Sequence, residues 1–285
     1  MPCKKKYNFA VLILSHGRAG NIATINTLRK DGYTGKIYIV IDDEDEQADR
    51  YYSLYCDSVV QFSKDEMRKT TDTMDIKGNE KIVVYARNKC FDIAKALHLD
   101  YFLELDDDYK SFQHRYEDGG KLKGKECKNL DKIFSSMIDF LNASGAITVA
   151  FAQGGDSLGG LDSKRWRDGM IRKAMNTFFC KTDRPFKFLG RINEDTNMYL
   201  EYGKRGALCF TIMDLQIVQA QTQKQNGGLT DIYLDCGTYQ KSFYSVMINP
   251  SCVKVAEMGL HRRLHHNILW DYAVPKIIDC KYKKG

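Results

Sequence analysis

Two rhythms of apolar and polar residues alternate along the first hundred positions of the chain. "NFAVLILSHGR" is a continuous apolar run closed by a glycine, the pattern of a strand buried on both faces. "NIATINTLRKDGY" then carries Ile22, Ile25 and Leu28 at helical spacing, with Asp31-Gly32 as a stop. "KIYIVIDDEDE" predicts a second strand, "DEQADRYYSLY" a short helix and "SVVQFS" a third strand. The polar segment "KDEMRKTTDTMDIKGNEK" predicts a loop. "VVYARNKCFDIAKALHLD" predicts an amphipathic helix with Cys90, Ile93, Ala94 and Leu97 on one face, leading into the strand "YFLEL".

Strand–helix–strand repetition at this spacing predicts an α/β fold, a mostly parallel sheet flanked by helices. Ligands of such open sheets bind beyond the carboxyl ends of the strands. Three polar clusters fall at predicted strand ends: Ser15-His16-Gly17-Arg18, Asp42-Asp43-Glu44-Asp45 and Asp106-Asp107-Asp108. Their shared edge predicts one site. Farther on, "GGKLKGKECKNLDK" predicts an exposed loop, "LDKIFSSMIDFLNAS" a helix, "AITVAFA" a strand and "QGGDSLGGLDSKRWRDGMIRK" a flexible loop. No internal repeat or clean linker divides the chain. The expectation is one domain over 1–285, with 8–110 as its donor-binding half and 111–285 as its acceptor-binding half and tail.

Composition narrows the class. The 285 residues are 43% hydrophobic and 28% charged, enough apolar material for a sizeable core. A formal charge of +6 permits a polyanionic partner without requiring one. Nine cysteines, scattered singly with no Cys-x-x-Cys, speak against a disulfide framework or a thiolate zinc site and for a reducing cytoplasm. The basic-then-apolar opening imitates a signal peptide. Its apolar run is short and stops at His16-Gly17-Arg18, so a first strand is expected instead. No run has the length to span a bilayer, and no obligate protein partner is inferred.

Three successive aspartates after an apolar strand repel one another unless something compensates them. A hard cation does so: Mg²⁺ or Mn²⁺ takes oxygen ligands and keeps positions open for substrate phosphates. A solvated acidic loop is the plainer alternative.

"YARNKCFDIAKALHLDYFLELDDDY" resembles the core of nucleotide-sugar-dependent glycosyltransferases of the GT-A fold, in which an Ala-Arg-Asn helix start leads to an Asp-x-Asp metal motif. "LILSHGR" resembles their first strand and nucleotide-binding loop, and "YIVIDDED" the second strand, whose terminal acid contacts the nucleoside. "RINEDTNMYLEYGKRGA" resembles their Glu-Asp segment. The combination of "VLILSHGRAGN", "YIVIDDED", "LELDDDY" and "INEDTN" most resembles the TET-associated glycosyltransferases of bacteriophages, a family thought to glycosylate hydroxymethylated pyrimidines in phage DNA.

The resemblance implies a donor site made from Ser15, His16, Arg18, Asp42 or Asp43, Arg87, Asn88, Asp106 and Asp107. It implies a metal held by Asp106 and Asp108, with His261 as a late third ligand and His265 its alternative. An inverting transfer needs a general base across the sugar from the leaving group. Asp195, beside Glu194, is the candidate, unless Asn193, Glu194 and Asp195 merely cap a helix. Expected cofactors are Mn²⁺ or Mg²⁺ and a donor, UDP-linked by base rate. The expected acceptor is 5-hydroxymethylcytosine in double-stranded DNA, inside a phage-infected bacterial host. Basic residues in "KLKGKECK" and in Lys164-Arg165-Trp166-Arg167 are candidates for contacts to phosphates and bases. Alternatives are a polysaccharide, lipid or protein acceptor, a nucleotidyltransferase, or a catalytically silent DNA-binding module.

Overall fold

A computed structural model describes residues 7–74, 82–219, 239–258 and 262–275. Its centre is a mixed sheet of order β3 (Val59–Phe62), β2 (Lys36–Asp42), β1 (Phe9–Leu14), β4 (Tyr101–Asp106), β9 (Phe178–Lys181), β7 (Thr148–Ala152), β10 (Cys209–Gln219), β5 (Tyr109–Asp118), β6 (Lys121–Glu126), with β8 (Met170–Ile171) beside β10. In the first half, β1 (Phe9–Leu14) lies between β2 (Lys36–Asp42) and β4 (Tyr101–Asp106), and β3 (Val59–Phe62) flanks β2. All of these pairings are parallel. Helices α1 (Ala23–Lys30), α2 (Ala48–Tyr55), α3 (Lys64–Thr70) and α4 (Val84–Ala96) fall between them.

The second half adds β5 (Tyr109–Asp118), β6 (Lys121–Glu126), α5 (Leu130–Ser144), β7 (Thr148–Ala152), α6 (Lys164–Asp168) and β8 (Met170–Ile171). Next come β9 (Phe178–Lys181), α7 (Glu194–Lys204) and β10 (Cys209–Gln219). Antiparallel β9 sits between β4 and β7, and parallel β7–β10 resumes the direction of the first four strands. The sheet is therefore continuous across the 8–110 and 111–285 halves. A smaller unit, α8 (Tyr239–Ile248) packed on the hairpin β11 (Val253–Met258) and β12 (Arg263–Ile268), follows.

The unbroken apolar run in β1 has a direct cause. Ala10, Leu12 and Leu14 enter one core with α4 and α7, while Val11 and Ile13 enter the other with α1, α2 and α5. The α/β class and its helix-flanked sheet are as the sequence predicts. Among the described residues, no helix is long and apolar enough to cross a membrane. Cys90, Cys127, Cys180, Cys209 and Cys252 are free and buried, as small apolar residues would be, and Cys56 is free and exposed.

Three predicted loops prove structured. Residues 64–70 form α3, with Asp65 and Glu66 in its first turn and Arg68 and Lys69 in its last. That charge order suits the helix dipole, and with few buried residues it left no apolar period to read. "GGKLKGKE" is one arm of a hairpin: Gly119 and Gly120, at φ +59° and +71°, make a two-residue turn between paired Asp118 and Lys121. The segment after β7 contains α6 and β8 rather than only flexible loop.

Gly32 ends α1 at φ +88°, and a Cβ there would lie 2.6 Å from the Lys128 carbonyl oxygen. Gly145, after α5, has φ +67° but open space around it. Gly145→Ala should cost about 1 kcal/mol from the left-handed backbone alone. Gly32→Ala should cost clearly more, read as the larger drop in urea midpoint.

Candidate active site

Parallel pairing brings the ends of β1, β2 and β4 to one edge, with Leu14 opposite Asp106 and Val40. The loop after β1 is clamped there. The Ser15 hydroxyl donates to Asp107 Oδ2 at 2.7 Å and lies 2.7 Å from the Tyr51 hydroxyl. Arg18 Nη1 donates to Asp107 Oδ1 at 2.6 Å. Gly17, at φ +67°, donates its backbone N–H to Asp45 Oδ2 at 2.8 Å. Both Asp107 oxygens are thus engaged by the protein, and this carboxylate latches the first loop.

His16 Nδ1 lies 2.8 Å from Asp42 Oδ2, and Lys64 Nζ lies 3.5 Å from Asp42 Oδ1. The hydrogen bond to Asp42 raises the His16 pKa above its ordinary value. Burial alone would raise the Asp42 carboxyl, but the His16 bond and the nearby charges outweigh it and hold the group low. Asp43 is exposed and accepts the Lys64 backbone N–H at 2.9 Å, fixing the start of α3.

Arg87, in the first turn of α4, is 2% exposed and is the hub of the site. Its Nη1 donates to Glu104 Oε1 at 2.7 Å, its Nη2 to Asp106 Oδ1 at 3.1 Å and its Nε to Glu194 Oε1 at 3.1 Å. Phe178 and Phe188 lie beside the guanidinium, 5.1 and 5.7 Å from its central carbon to their ring centres. Burial pushes Glu104 up to about 7 against the pull of Arg87. Burial, then the Asp195 charge, pushes Glu194 up to about 7. The sequence suggested Arg87 for a phosphate or sugar oxygen. In the structure its guanidinium is shared among three carboxylates.

Asn88 also has protein partners. Its side chain donates to the Phe188 carbonyl at 3.0 Å and accepts the Phe188 N–H at 2.7 Å, pinning the strip that carries one of the rings beside Arg87.

The Asp106–Asp108 turn rests on the start of α1. Thr24 Oγ1 donates to the Asp106 carbonyl at 2.7 Å and accepts the Tyr109 N–H at 3.0 Å. Asp108 Oδ1 is buried with no hydrogen-bond partner. Burial, then the charges of Asp106 and Asp107, pushes its carboxyl up to about 6. Hard oxygen donors and an orphaned carboxylate oxygen fit a small divalent cation. Among the described residues no three His, Cys, Asp or Glu side chains form a complete metal cage. Water and substrate phosphates ordinarily complete such a shell.

At the start of α7, Asn193 adopts a left-handed backbone with φ +55° and makes no side-chain cap. Its amide instead donates to the Lys241 carbonyl at 2.9 Å and to Ser245 Oγ at 3.0 Å, tying the segment to α8. Glu194 is held by Arg87, and neighbouring Asp195 is buried, its Oδ1 accepting the Thr196 N–H at 2.6 Å. A capping role for the whole Asn193-Glu194-Asp195 run does not describe this geometry.

His261 lies outside the described residues. His265 sits on β12 opposite Ala256, with burial, then Lys241 and Arg263, lowering its pKa. Lys164 and Arg165 are exposed on α6, and Arg165 Nη1 lies 3.8 Å from Asp156 Oδ1. Trp166 and Arg167 line a hollow of about 490 Å³ with Glu117, Leu161, Gly169, Met213 and Asp214. Sequence reasoning missed Glu104, Tyr51, Lys64, Phe178 and Phe188. Only Glu104 left a signal, a lone charge inside the apolar "YFLEL".

One buried arginine thus joins the edge of carboxylates on the α/β sheet to a carboxylate pair at a helix start, and together they form one candidate site. A family model of the TET-associated glycosyltransferases matches residues 9–228, which include every element of that site. The chain belongs to this family, and it is a glycosyltransferase. No curated protein matches the chain in sequence. Similar solved structures include glucosyl-3-phosphoglycerate synthase from Mycobacterium tuberculosis with Mg²⁺ and UDP, at TM-score 0.46 and 9% identity over 92% of this chain and 88% of that one. Others are the mannosyltransferase PcManGT from Pyrobaculum calidifontis with GDP-Man and Mn²⁺ (TM-score 0.47, 11% identity, 76% and 58% covered) and S. aureus TarS (0.41, 12%, 73% and 36%).

Two stability predictions follow from this geometry. Arg87→Met leaves three carboxylates without their shared cation and should cost about 3–5 kcal/mol in urea unfolding. The His16–Asp42 pair gives a pH signature. Raised His16 contributes stability that is complete below about 6.5 and is lost as pH rises through its folded value. Lowered Asp42 contributes above about 3.9 and is lost as pH falls through its folded value. The Tm gap between wild type and His16→Gln should therefore be widest between these limits and narrow on either side.

Proposed function

We propose that this glycosyltransferase moves a sugar from a UDP-sugar to the hydroxymethyl group of 5-hydroxymethylcytosine in DNA, with inversion at the anomeric carbon. The observation that supports the reading is the Arg87 bridge, which joins Asp106 to Glu194 and so ties the end of β4 to the start of α7, the two elements that carry the proposed metal ligands and the proposed base. His16, Arg18 and Asp42 line the loop beside it, where the nucleoside and diphosphate would lie. Asp43 is held at the start of α3 by the Lys64 N–H, beside Asp42.

Asp106 and Asp108 would hold Mn²⁺ or Mg²⁺, which when bound supplies charge neutralisation for the departing diphosphate. Asp195 takes the proton from the acceptor hydroxyl as its oxygen attacks the anomeric carbon opposite the leaving group. Glu194, anchored by Arg87, fixes the start of α7 and so the position of Asp195. Asp107 keeps the first loop closed against the site. Donor and acceptor together place the reaction in the cytoplasm of a phage-infected bacterium.

Intact-mass spectrometry tests the acceptor. The protein is incubated with Mn²⁺, a panel of UDP-sugars and duplexes carrying cytosine or 5-hydroxymethylcytosine. A sugar-sized gain on the hydroxymethylated duplex alone is expected. Donor hydrolysis without such a gain would send the sugar to a polysaccharide, lipid or protein. With neither, the transfer reading fails.

In the same assay Asp108→Ala should abolish turnover. Asp195→Ala should lower it by about 100-fold or more, the scale of a lost general base, while calorimetry shows UDP and Mn²⁺ still binding. Loss of that binding would remove Asp195 from the role of base.

A further inference from the structure

Past the acids of β4, the same edge of the sheet continues into the second half, and its polar residues change from carboxylates to amides. Strand β9 runs antiparallel to β4, with Glu104 opposite Phe178. Extending that register by two residues sets Asn176 level with Asp106. Phe178, two residues after Asn176, is one of the rings beside Arg87. From the other direction, Gln219 of β10 lies opposite Tyr109, the residue that follows Asp108. Strand β7 stands between β9 and β10 and ends at Ala152, and the two amides meet over that end. Asn176 Nδ2 donates to Gln219 Oε1 at 2.7 Å.

The bridge is fixed in place from the aspartate turn. The hydroxyl of Tyr109, which is fully buried, donates to the Asn176 carbonyl. Asn176 itself holds a left-handed backbone at φ +60°, a conformation that a residue other than glycine keeps where its surroundings enforce it.

A side-chain amide offers one acceptor oxygen and one donor nitrogen. The bond between Asn176 and Gln219 uses one of each, whichever way round the two amides lie. One C=O and one NH₂ are left over, side by side, and neither has a hydrogen-bond partner among the described residues. Both side chains are half-buried. A neutral donor beside a neutral acceptor suits neighbouring hydroxyls, which accept and donate in turn. It brings no cation to a phosphate and adds no charge to an edge that already carries three aspartates.

Order along the edge selects the hydroxyls. The loops after β1 and β2 take the nucleoside, and Asp106 and Asp108 take the metal and diphosphate. The next position along the sheet is that of Asn176, one strand spacing of about 4.8 Å farther on. That step matches a pyranose ring attached to the diphosphate.

Resting on the donor-site reading above, we infer that the Asn176–Gln219 pair reads two neighbouring hydroxyls of the transferred sugar and so sets which UDP-sugar the enzyme prefers. The competing account is structural: the bridge only closes the end of β7.

Calorimetry in the presence of Mn²⁺ separates the two without any acceptor. The ligands are UDP, UDP-glucose, UDP-galactose, UDP-N-acetylglucosamine and UDP-N-acetylgalactosamine. Gln219→Met keeps side-chain length and loses one amide; Asn176→Gly suits the left-handed backbone and removes the other. Each variant is checked by thermal melt. Wild type should bind one of the UDP-sugars more tightly than the rest. Both variants should bind UDP as wild type does and that preferred sugar about tenfold more weakly, the scale of one lost hydrogen bond, so that the preference shrinks. Wild type with no preference, or variants that keep it, overturns the assignment. Variants that lose UDP and sugar together, or no longer melt cooperatively, leave the structural account. Wild type that binds no UDP overturns the donor-site reading and the pair's role with it.

Discussion

A buried guanidinium shared by three carboxylates is the constraint on which the rest of this site depends. Removing Arg87 from water is costly, and only well-placed opposite charge offsets that cost. Glu104 and Asp106 come from the same strand, Glu194 from a helix start ninety residues later in the chain. One side chain therefore fixes the spacing between the end of β4 and the start of α7. Rings from β9 and from the Phe188 strip exclude water around it, which strengthens each of these interactions. Because Arg87 is engaged by three carboxylates, the proposed role it fits is that of a positioning residue for the acids of the site.

The same economy governs the donor-side loop. Asp107, flanked by the proposed metal ligands, turns its carboxylate toward Ser15 and Arg18. Asp42 turns toward His16 and Lys64. Carboxylates that look equivalent in the sequence thus divide into those engaged by a protein cation, Asp42 and Asp107, and the proposed metal ligands. Among Asp106, Asp107 and Asp108, Asp108 alone has a buried oxygen that meets no protein partner, and burial with the charges of its two neighbours pushes its carboxyl up to about 6, so an added positive charge would stabilise it.

Much of the first half was legible because its strands are buried on both faces and end at one edge. The apolar runs of β1, β2 and β4 and the acids after them located that edge directly. What escaped was set by electrostatics and turn geometry instead of apolar period. Helix α3 buries only Lys64 and Met67 and is organised by its terminal charges. Strand β6 reads as a lysine-rich loop because its outward face is lysine and its inward face is Leu122 and Gly124. The partners of Arg87 were hidden for another reason: Phe188 and Glu194 are remote in sequence, and no local pattern records a tertiary ion network. Asn88 and Asp107 carry the chemistry of ligand contacts, but tertiary neighbours claim them first.

The central claim is that the acids at the end of β4 form the metal-assisted donor site of this glycosyltransferase. Its most direct test is a crystal grown with UDP and Mn²⁺ and measured at the manganese absorption edge. The account predicts an anomalous peak between the UDP diphosphate and the carboxylates of Asp106 and Asp108, with Arg87 still bound to Glu104 and Glu194. UDP bound at this edge with no peak there, or with manganese held by other residues, would contradict it.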